Sequence, residues 1–367
     1  MTVALVGTRI EHDYAADEAV STGTLDQQSR VEYSPRVFEA RRDRECQGDI
    51  LAAIRCSGLA GSLFLSFTLA LCAGCGPGSP DDDDTLADDD DTLADDDDSA
   101  DDDDSTVSPP APCNGHVELC DRPFDQVALP ATHNSMSNDA AGWLVPNQNY
   151  GITRQLQDGI RGLMLDTHYW NNDLYLCHSS CSLGSQLLVD GLAEVRDFMV
   201  QNPREVLVII FQDGISAADT ATAFDDVGLE PFLHGQMAGA SWPSLSAMID
   251  LGRRLVVTAE SGAPPPPWYH HAWDLYFDTP YDFWSVGDFS CEVNRGQAGN
   301  DLFLVNHWLG PLSSPGNAQT ANAWSVLNQR VEDCRAAHQR IPNLVAVDFY
   351  DYGDLFQMVD SLNGVWP

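Results

Sequence analysis

Two histidines of this sequence follow short apolar runs. His133 comes directly after Val127–Thr132, and His178 comes directly after Leu174–Cys177. Histidine titrates near neutral pH, so one ring can accept a proton while another donates one. Two such rings would cleave a phosphodiester whose alcohol carries a neighbouring hydroxyl: one deprotonates the hydroxyl and the other protonates the leaving oxygen. The sequence has no serine-centred nucleophile elbow, which favours acid–base chemistry. For each histidine taken alone, the alternative to a catalytic role is a structural role as a hydrogen-bonded residue.

Polar side chains also stand at the ends of the other apolar runs. They are Asn134, Asp166, Gln212, Asp213, Glu260, Asn306, His307 and Asp348. Burying an unpaired polar group costs about 1–3 kcal/mol, so core packing does not explain polar residues at the same end of nearly every run. The charge of a phosphate would also have to be met by arginine or by a metal ion. The pattern predicts one shared reaction site.

The apolar runs themselves predict the elements that would position these residues. They are Val127–Thr132, Leu163–Thr167, Leu174–Cys177, Val206–Phe211, Leu255–Ala259, Leu302–Val305 and Leu344–Phe349. Helix-like stretches lie between several of them, for example Leu188–Asn202 and Ala321–His338. Apolar strands that alternate with helices predict a parallel α/β sheet or barrel. The length of 113–367 favours one TIM-type (β/α) barrel, in which the strand ends meet at one rim.

The composition is strongly acidic. The 367 residues include 56 Asp and Glu against 18 Lys and Arg, which gives a formal net charge of −38. Much of this charge lies in the repeat Asp81–Asp104, but the rest of the chain is acidic too. A surface that follows nucleic acid needs clustered Lys and Arg, so we exclude nucleic acid as a partner.

The segment before the predicted barrel indicates export. Residues 1–54 show little periodicity, and we interpret them as an extension from a start site placed too early. Residues 55–75 contain a short apolar run and an Ala-Gly-Cys ending, typical of a bacterial signal peptide with lipidation at Cys75; an uncleaved anchor is the alternative. Residues 76–112 predict an acidic, extended tether, with cation binding as its alternative. We expect a cell-envelope lipoprotein or a secreted protein.

Several stretches of the chain resemble motifs of the phosphatidylinositol-specific phospholipase C X-domain family, most closely a branch known from plants and bacteria. They are Leu129–Ser135, Gly159–Asp166, Leu176–His178, Pro203–Val206 with Ile210–Asp213, and the ending Ile341–Tyr350. The resemblance covers 113–367. It implies a distorted TIM-type barrel of the phospholipase C-like phosphodiesterase class. The implied activity is that of a phosphoric diester hydrolase acting on inositol phospholipids or related diesters.

Carried over residue by residue, the resemblance implies a catalytic set and a disulfide framework. His133 would be the general base, His178 the general acid, and Asp348 the carboxylate that orients His133. Six cysteines fall within 113–367, and an even number in an exported domain indicates disulfides. Proximity and the resemblance favour Cys113–Cys120, Cys177–Cys181 and Cys291–Cys334 among the possible pairings.

The resemblance also implies a metal ion. Asn134 and Asp166 match positions that bind calcium in the eukaryotic members, whereas metal-independent bacterial members carry an arginine near the Asp166 position that this chain lacks. We therefore expect calcium, with Asp213 as a further ligand. Met164 and Gln212 depart from the pattern, because they stand where the eukaryotic members have carboxylate ligands.

Substrate contacts are expected from Arg161, Glu260 and His307; for Arg161, pairing with a carboxylate beneath the barrel is the alternative. The expected partners are a small-molecule or phospholipid diester and a membrane surface reached through the lipid anchor, and we expect a monomer. Two other functions stay open. One is a catalytically silent binding lipoprotein on the same barrel, which the presence of both histidines disfavours. The other is a diesterase for a non-inositol substrate.

Overall fold

The structure is a computed structural model that describes residues 110–237, 239–262, 266–310 and 312–366. The extension 1–54, the signal segment 55–75 with its lipidation site Cys75, and the tether up to residue 109 lie outside the described residues. The predictions made for them stay predictions.

Ten strands form one sheet. They are β1 (Leu129–Thr132), β2 (Gly162–Trp170), β3 (Asp173–Leu176), β4 (Gln186–Leu187), β5 (Leu207–Asp213), β6 (Leu255–Ala259), β7 (Tyr269–His271), β8 (Tyr276–Asp278), β9 (Leu302–His307) and β10 (Leu344–Val347). Eight of them follow the order β7-β6-β5-β2-β1-β10-β9-β8, and every neighbouring pair on this path is parallel. β3 and β4 extend β2 as an antiparallel flap.

Eight α-helices alternate with the strands among the described residues. They are α1 (Ile152–Asp158), α2 (Leu188–Gln201), α3 (Ala217–Asp226), α4 (Leu245–Asp250), α5 (Ala272–Leu275), α6 (Pro315–Ala321), α7 (Trp324–His338) and α8 (Leu355–Asn363). Strand–helix alternation and a parallel sheet confirm the distorted TIM-type barrel. The distortion is an opening between β7 and β8, which are the edge strands of the described sheet.

The strands are apolar on both faces because both faces are covered. One face, with Leu129, Ala131, Val208, Ile210, Leu344 and Ala346, fills the barrel interior. The alternate residues, among them Leu163, Leu165, Ile209, Phe211, Val345 and Val347, pack against the helices. This two-residue alternation between two buried layers explains why the sequence shows near-continuous apolar runs.

The helices are set by apolar spacing and by serine caps. α2 buries Leu188, Leu192, Val195 and Met199, which are three or four residues apart and therefore share one face. Ser216 and Ser244 accept backbone N–H groups at the starts of α3 and α4, which satisfies donors that a helix start leaves free. Within the described residues, none of the helices has the length and apolar character that crossing a bilayer requires.

The expected disulfide framework is confirmed. Bonds join Cys113 to Cys120, Cys177 to Cys181 and Cys291 to Cys334. The sequence patterns did not predict β7 and β8, because three-residue strands are too short to show a periodic signal.

One glycine of the second motif has a packing reason. A Cβ atom added at Gly162 would lie 2.7 Å from the Cβ of Ala131 and 2.8 Å from a methyl of Leu344. Gly162 therefore leaves room inside the barrel for Ala131 of β1 and Leu344 of β10.

Candidate active site

His133 and Asp348 are neighbours because their strands are neighbours. β1 and β10 pair in parallel with Thr132 opposite Val347, so the next residue of each strand emerges at the same point of the rim. Nδ1 of His133 lies 2.9 Å from Oδ1 of Asp348. The carboxylate accepts the Nδ1 proton, which leaves Nε2 of His133 as the nitrogen that can exchange a proton.

His178 enters the same rim from the antiparallel flap. It follows β3 through Cys177, whose backbone N–H donates to the carbonyl of Asp166 and whose sulfur is bonded to Cys181. The rings of His133 and His178 have centroids 6.5 Å apart and planes inclined by 67°. Burial lowers the pKa of His178 below its ordinary value, and the nearby charge of His133 lowers it further.

An aromatic wall covers one face of His133. Trp308 follows β9 directly, and its ring stacks on the imidazole with centroids 3.8 Å apart and an interplanar angle of 4°. Tyr281, from the loop after β8, stacks in turn at 6.1 Å from Trp308. Trp308 covers one face of the His133 ring, and Asp348 is bonded to Nδ1. Proton exchange with a molecule at the rim is therefore left to Nε2.

These groups line a cavity of about 170 Å³. Its lining is His133, Asn134, Met164, Leu165, Asp166, His178, Ile210, Gln212, Glu260, Tyr281, Arg295 and Trp308. The structure therefore brings together most of the residues singled out at the strand ends. Residues from β1, β2, β5, β6 and β9, or directly following them, share this one cavity, as the barrel topology predicts.

Arg295 is a cavity residue that sequence reasoning missed. Its guanidinium donates to Oδ2 of Asp278 at 2.6 Å and to Oε2 of Glu260 at 2.9 Å, and it stacks on the Tyr281 ring at 4.9 Å. Arg295 lies in the long loop between β8 and β9, so it belongs to no strand end and no motif. Its sequence neighbourhood carries no signal that would have found it.

Asp166 is the buried carboxyl group of the cavity. It is 5% exposed, and it makes no ion pair with any of the described residues. Burial raises its pKa to about 7, although the charge of His133 opposes the rise. Burial also raises the pKa of Glu260, against the opposing charge of Arg295. The cavity thus holds carboxyl groups that bind protons more strongly than exposed ones do.

The oxygen-bearing side chains of the cavity are the ones that would hold a calcium ion. Calcium takes about six to eight oxygen ligands in proteins. Asn134, Asp166 and Gln212 offer three side chains with oxygen atoms, while an oxygen of Glu260 is already engaged by Arg295. Among the described residues, no group of three or more His, Cys, Asp or Glu side chains is arranged to hold a metal ion. The calcium prediction stays a prediction, and no step below is routed through a metal.

Asp348 reaches the cavity only through His133, and three other predicted catalytic, metal or substrate residues also lie outside the cavity lining. Asp213 turns away from it, because its carboxylate accepts the backbone N–H of Ser261 at 2.8 Å; its expected role as a metal ligand is corrected accordingly. His307 is fully buried on the outer side of β9 and bonds to the carbonyl of Ala321 at 2.8 Å. Burial lowers its pKa to about 3, so it is neutral and does not reach substrate, contrary to the expectation.

Arg161 also has a structural place rather than the expected substrate contact. It precedes β2, at the end of the barrel opposite the cavity. Its Nε donates to Glu205 at 2.7 Å, and its terminal nitrogen donates to the carbonyls of Leu156 and Ile160. These contacts match the alternative interpretation, in which Arg161 pairs with a carboxylate beneath the barrel.

Comparisons with known proteins show what this chain is similar to. A "PI-PLC X domain-containing protein 1" from Arthroderma benhamiae is 28% identical over 275 residues, which are 69% of this chain and 90% of that protein. An "uncharacterized secreted protein" from the same organism is 28% identical over 287 residues and is covered over 64% of its length. The phosphatidylinositol-specific phospholipase C of Listeria monocytogenes aligns with a TM-score of 0.46 and 17% identity, covering 67% of this chain and 95% of that one. The model of the family described as PI-PLC X 1 matches residues 119–363.

Proposed function

This chain belongs to the PI-PLC X family, and on that premise we propose that it is a phosphodiesterase of the phospholipase C type, with His133 as general base and His178 as general acid. The observation that carries the proposal is the placement of both rings in one cavity, 6.5 Å apart between centroids. A phosphate group that lies against both rings is within hydrogen-bond reach of each.

The proposed reaction proceeds by internal displacement. Nε2 of His133 takes the proton of a hydroxyl group next to the phosphodiester, and that oxygen attacks phosphorus. The bond from phosphorus to the leaving oxygen breaks, and His178 donates its proton to that oxygen. Asp348 stabilises the protonated His133 ring through the 2.9 Å bond at Nδ1. Water then opens the cyclic phosphate with the two histidines in exchanged roles, which restores both protonation states.

Arg295 supplies the positive charge in this proposal. Among the described residues that line the cavity, Arg295 is the single arginine. A guanidinium presents planar N–H donors that suit phosphate oxygens. Asp278 and Glu260 fix its orientation.

A panel of phosphodiesters tests the function. Purified protein is incubated with phosphatidylinositol, glycerophosphoinositol, phosphatidylcholine and glycerophosphocholine, with calcium and with chelator, and phosphorus NMR follows the products. We expect a transient cyclic phosphate from the diesters that have a neighbouring hydroxyl. An absence of turnover across the panel would instead favour a silent binding protein, and turnover of the choline diesters alone would favour a non-inositol substrate.

We also propose that the protein acts outside the cytoplasm. One relative is named a secreted protein, and three disulfides are formed in the barrel domain, which is typical of oxidising compartments. Lipidation at Cys75 would then hold the domain near a membrane through the acidic tether. Mass spectrometry of the membrane fraction tests this: a mature protein that begins at a lipidated Cys75 supports it, and one that retains residues 1–54 refutes it.

A further inference from the structure

The carboxylate of Asp348 receives more hydrogen bonds than its contact with His133 alone. Oδ1 accepts from Nδ1 of His133 at 2.9 Å and from Nδ2 of Asn147 at 3.2 Å. Oδ2 accepts from Oγ of Ser313 at 2.7 Å. The two additional donors come from different loops, one before α1 and one before α6, and neither lines the cavity that holds the reacting groups.

Asn147 makes hydrogen bonds through both its backbone and its side chain. It is 3% exposed. Its backbone N–H donates to the carbonyl of Ser137 at 3.0 Å, and its own carbonyl accepts from the N–H of Phe349 at 2.8 Å. Its side-chain oxygen accepts from Nδ2 of Asn134 at 3.3 Å. Asn147 therefore joins the residue after His133 to the residue after Asp348.

Both of those residues have left-handed backbone conformations. Asn134 has a φ of 46° and Phe349 a φ of 45°, values that cost free energy in residues other than glycine. The turns end β1 and β10 abruptly after His133 and Asp348. Gln148, next to Asn147, bridges the same two strand ends, since its Nε2 donates to the carbonyls of His133 at 2.8 Å and Val347 at 3.1 Å.

We propose that Asn147 and Ser313 are positioning residues that fix the Asp348 carboxylate, and through it the ring of His133. A carboxylate rotates easily about its last side-chain bond, so one hydrogen bond to His133 would not hold both groups. Donors on both oxygens, supplied from opposite sides, remove that freedom. The proposal rests on the proposed function, because the ring being positioned is the proposed general base.

Kinetics of matched variants test the positioning role. We expect Asn147→Ala to lower kcat by about tenfold to a hundredfold, since displacement of a catalytic group by about 1 Å costs rates of that order. KM should stay within about twofold, because Asn147 does not touch the cavity. Asn149→Ala is the control: Asn149 is a half-buried residue two positions away that donates to a different carboxylate, that of Asp351, and its removal should leave kcat unchanged.

Ser313→Ala provides a second variant in case Asn147→Ala does not fold. Ser313 is only half-buried, and we expect its loss to lower kcat by about threefold to tenfold with KM retained. If both variants keep the kcat of the wild type, or if kcat falls only in step with loss of folded protein, the positioning role is refuted.

A spectroscopic readout separates this proposal from the proposed function. Proton NMR of the wild type should show a strongly downfield ring N–H signal from His133, which marks its bond to Asp348. We expect the signal to broaden or move upfield in Asn147→Ala and Ser313→Ala and to stay in place in Asn149→Ala. This result stands even if the panel shows no turnover. An unchanged signal in both positioning variants would refute the proposal while leaving the enzymatic function intact.

Discussion

The ring centroids of His133 and His178 lie 6.5 Å apart, at the ends of strands that belong to different parts of the sheet. β1 carries His133 within the parallel barrel, whereas β3 carries His178 on the antiparallel flap that extends β2. In the proposed function, this separation would let both rings contact one phosphate group. The pair is thus arranged for simultaneous proton removal and donation, provided that each ring holds the right protonation state.

Replacement of either histidine should abolish most of the activity. General acid–base catalysis contributes typically about 10²–10⁴-fold per group, so His133→Ala and His178→Ala should each lower turnover by at least about 100-fold. His234→Ala is the matched control, because His234 is a buried histidine that bonds to Gln236 and does not line the cavity. Thermal unfolding verifies that each variant is folded. Near-normal turnover of a folded His133 or His178 variant would give that residue a structural role.

The pH dependence should show an acidic optimum. Burial lowers the pKa of His178 from its ordinary value of 6.5, so the protonated form that can act as an acid is lost at a lower pH than for an exposed histidine. We therefore expect kcat/KM to decline with rising pH from a point below 6.5, as measured on a soluble diester. A decline that begins only above pH 7 would show that His178 does not supply the proton.

Replacement of the buried carboxyl group should stabilise the protein at neutral pH. The pKa of Asp166 is raised to about 7 from 3.8, so the folded state binds its proton more strongly than the unfolded state. Stability is therefore lost as pH rises between these values. Asn does not titrate, so the free energy of unfolding of Asp166→Asn should exceed that of the wild type near pH 7, by at most on the order of 4 kcal/mol. At pH 3 this gain should be absent. Urea unfolding at both pH values measures the difference.

The same variant tests calcium. If calcium binds at Asp166, added calcium should raise the unfolding temperature of the wild type and leave that of Asp166→Asn unchanged. In the absence of calcium the comparison at neutral pH reports on burial alone. Equal unfolding temperatures of the wild type with calcium and with chelator, together with full activity in chelator, would contradict the expected metal.

Arg295 should be required for turnover because it offers the charge that meets the phosphate. We expect Arg295→Met to lower kcat/KM by about 100-fold or more, in the range found when a group that stabilises developing charge is removed. Arg154→Met is the control, since Arg154 is an exposed arginine that pairs with Asp158 on α1. Calcium should not restore activity to Arg295→Met. Restoration would mean that a metal ion, rather than the guanidinium, neutralises the phosphate.

The disulfide beside His178 should support its position. Cys177 and Cys181 flank His178 and are bonded to each other, which restricts the loop that carries the proposed acid. We expect the double variant Cys177→Ser, Cys181→Ser to lose activity, while the Cys113→Ser, Cys120→Ser pair, in the disulfide before β1, loses far less. Activity assays and unfolding temperatures of both double variants make the comparison. Equal effects would show that the bond near His178 has only a general stabilising role.

The sequence by itself determined the barrel and the core of the site. Apolar runs that end in polar residues define the strands, and a parallel barrel sends the carboxyl ends of all its strands to one rim. His133 and Asp166 could therefore be assigned to one cavity, and Asp348 to a contact with His133, without coordinates. The prediction required only the order of residues along each strand, because a parallel barrel brings the carboxyl ends of its strands together in space.

Tertiary structure alone decided the residues that come from loops. Arg295, Tyr281 and Asn147 stand at no strand end, and their places depend on how long connections fold back over the rim. It also separated site residues from other polar residues of the strands: Asp213 and His307 end β5 and β9 yet face away from the cavity, whereas Asp166 lies within β2 and lines it. Successive side chains of a strand point to opposite faces, so a one-residue difference in position decides between the cavity and the outer layer.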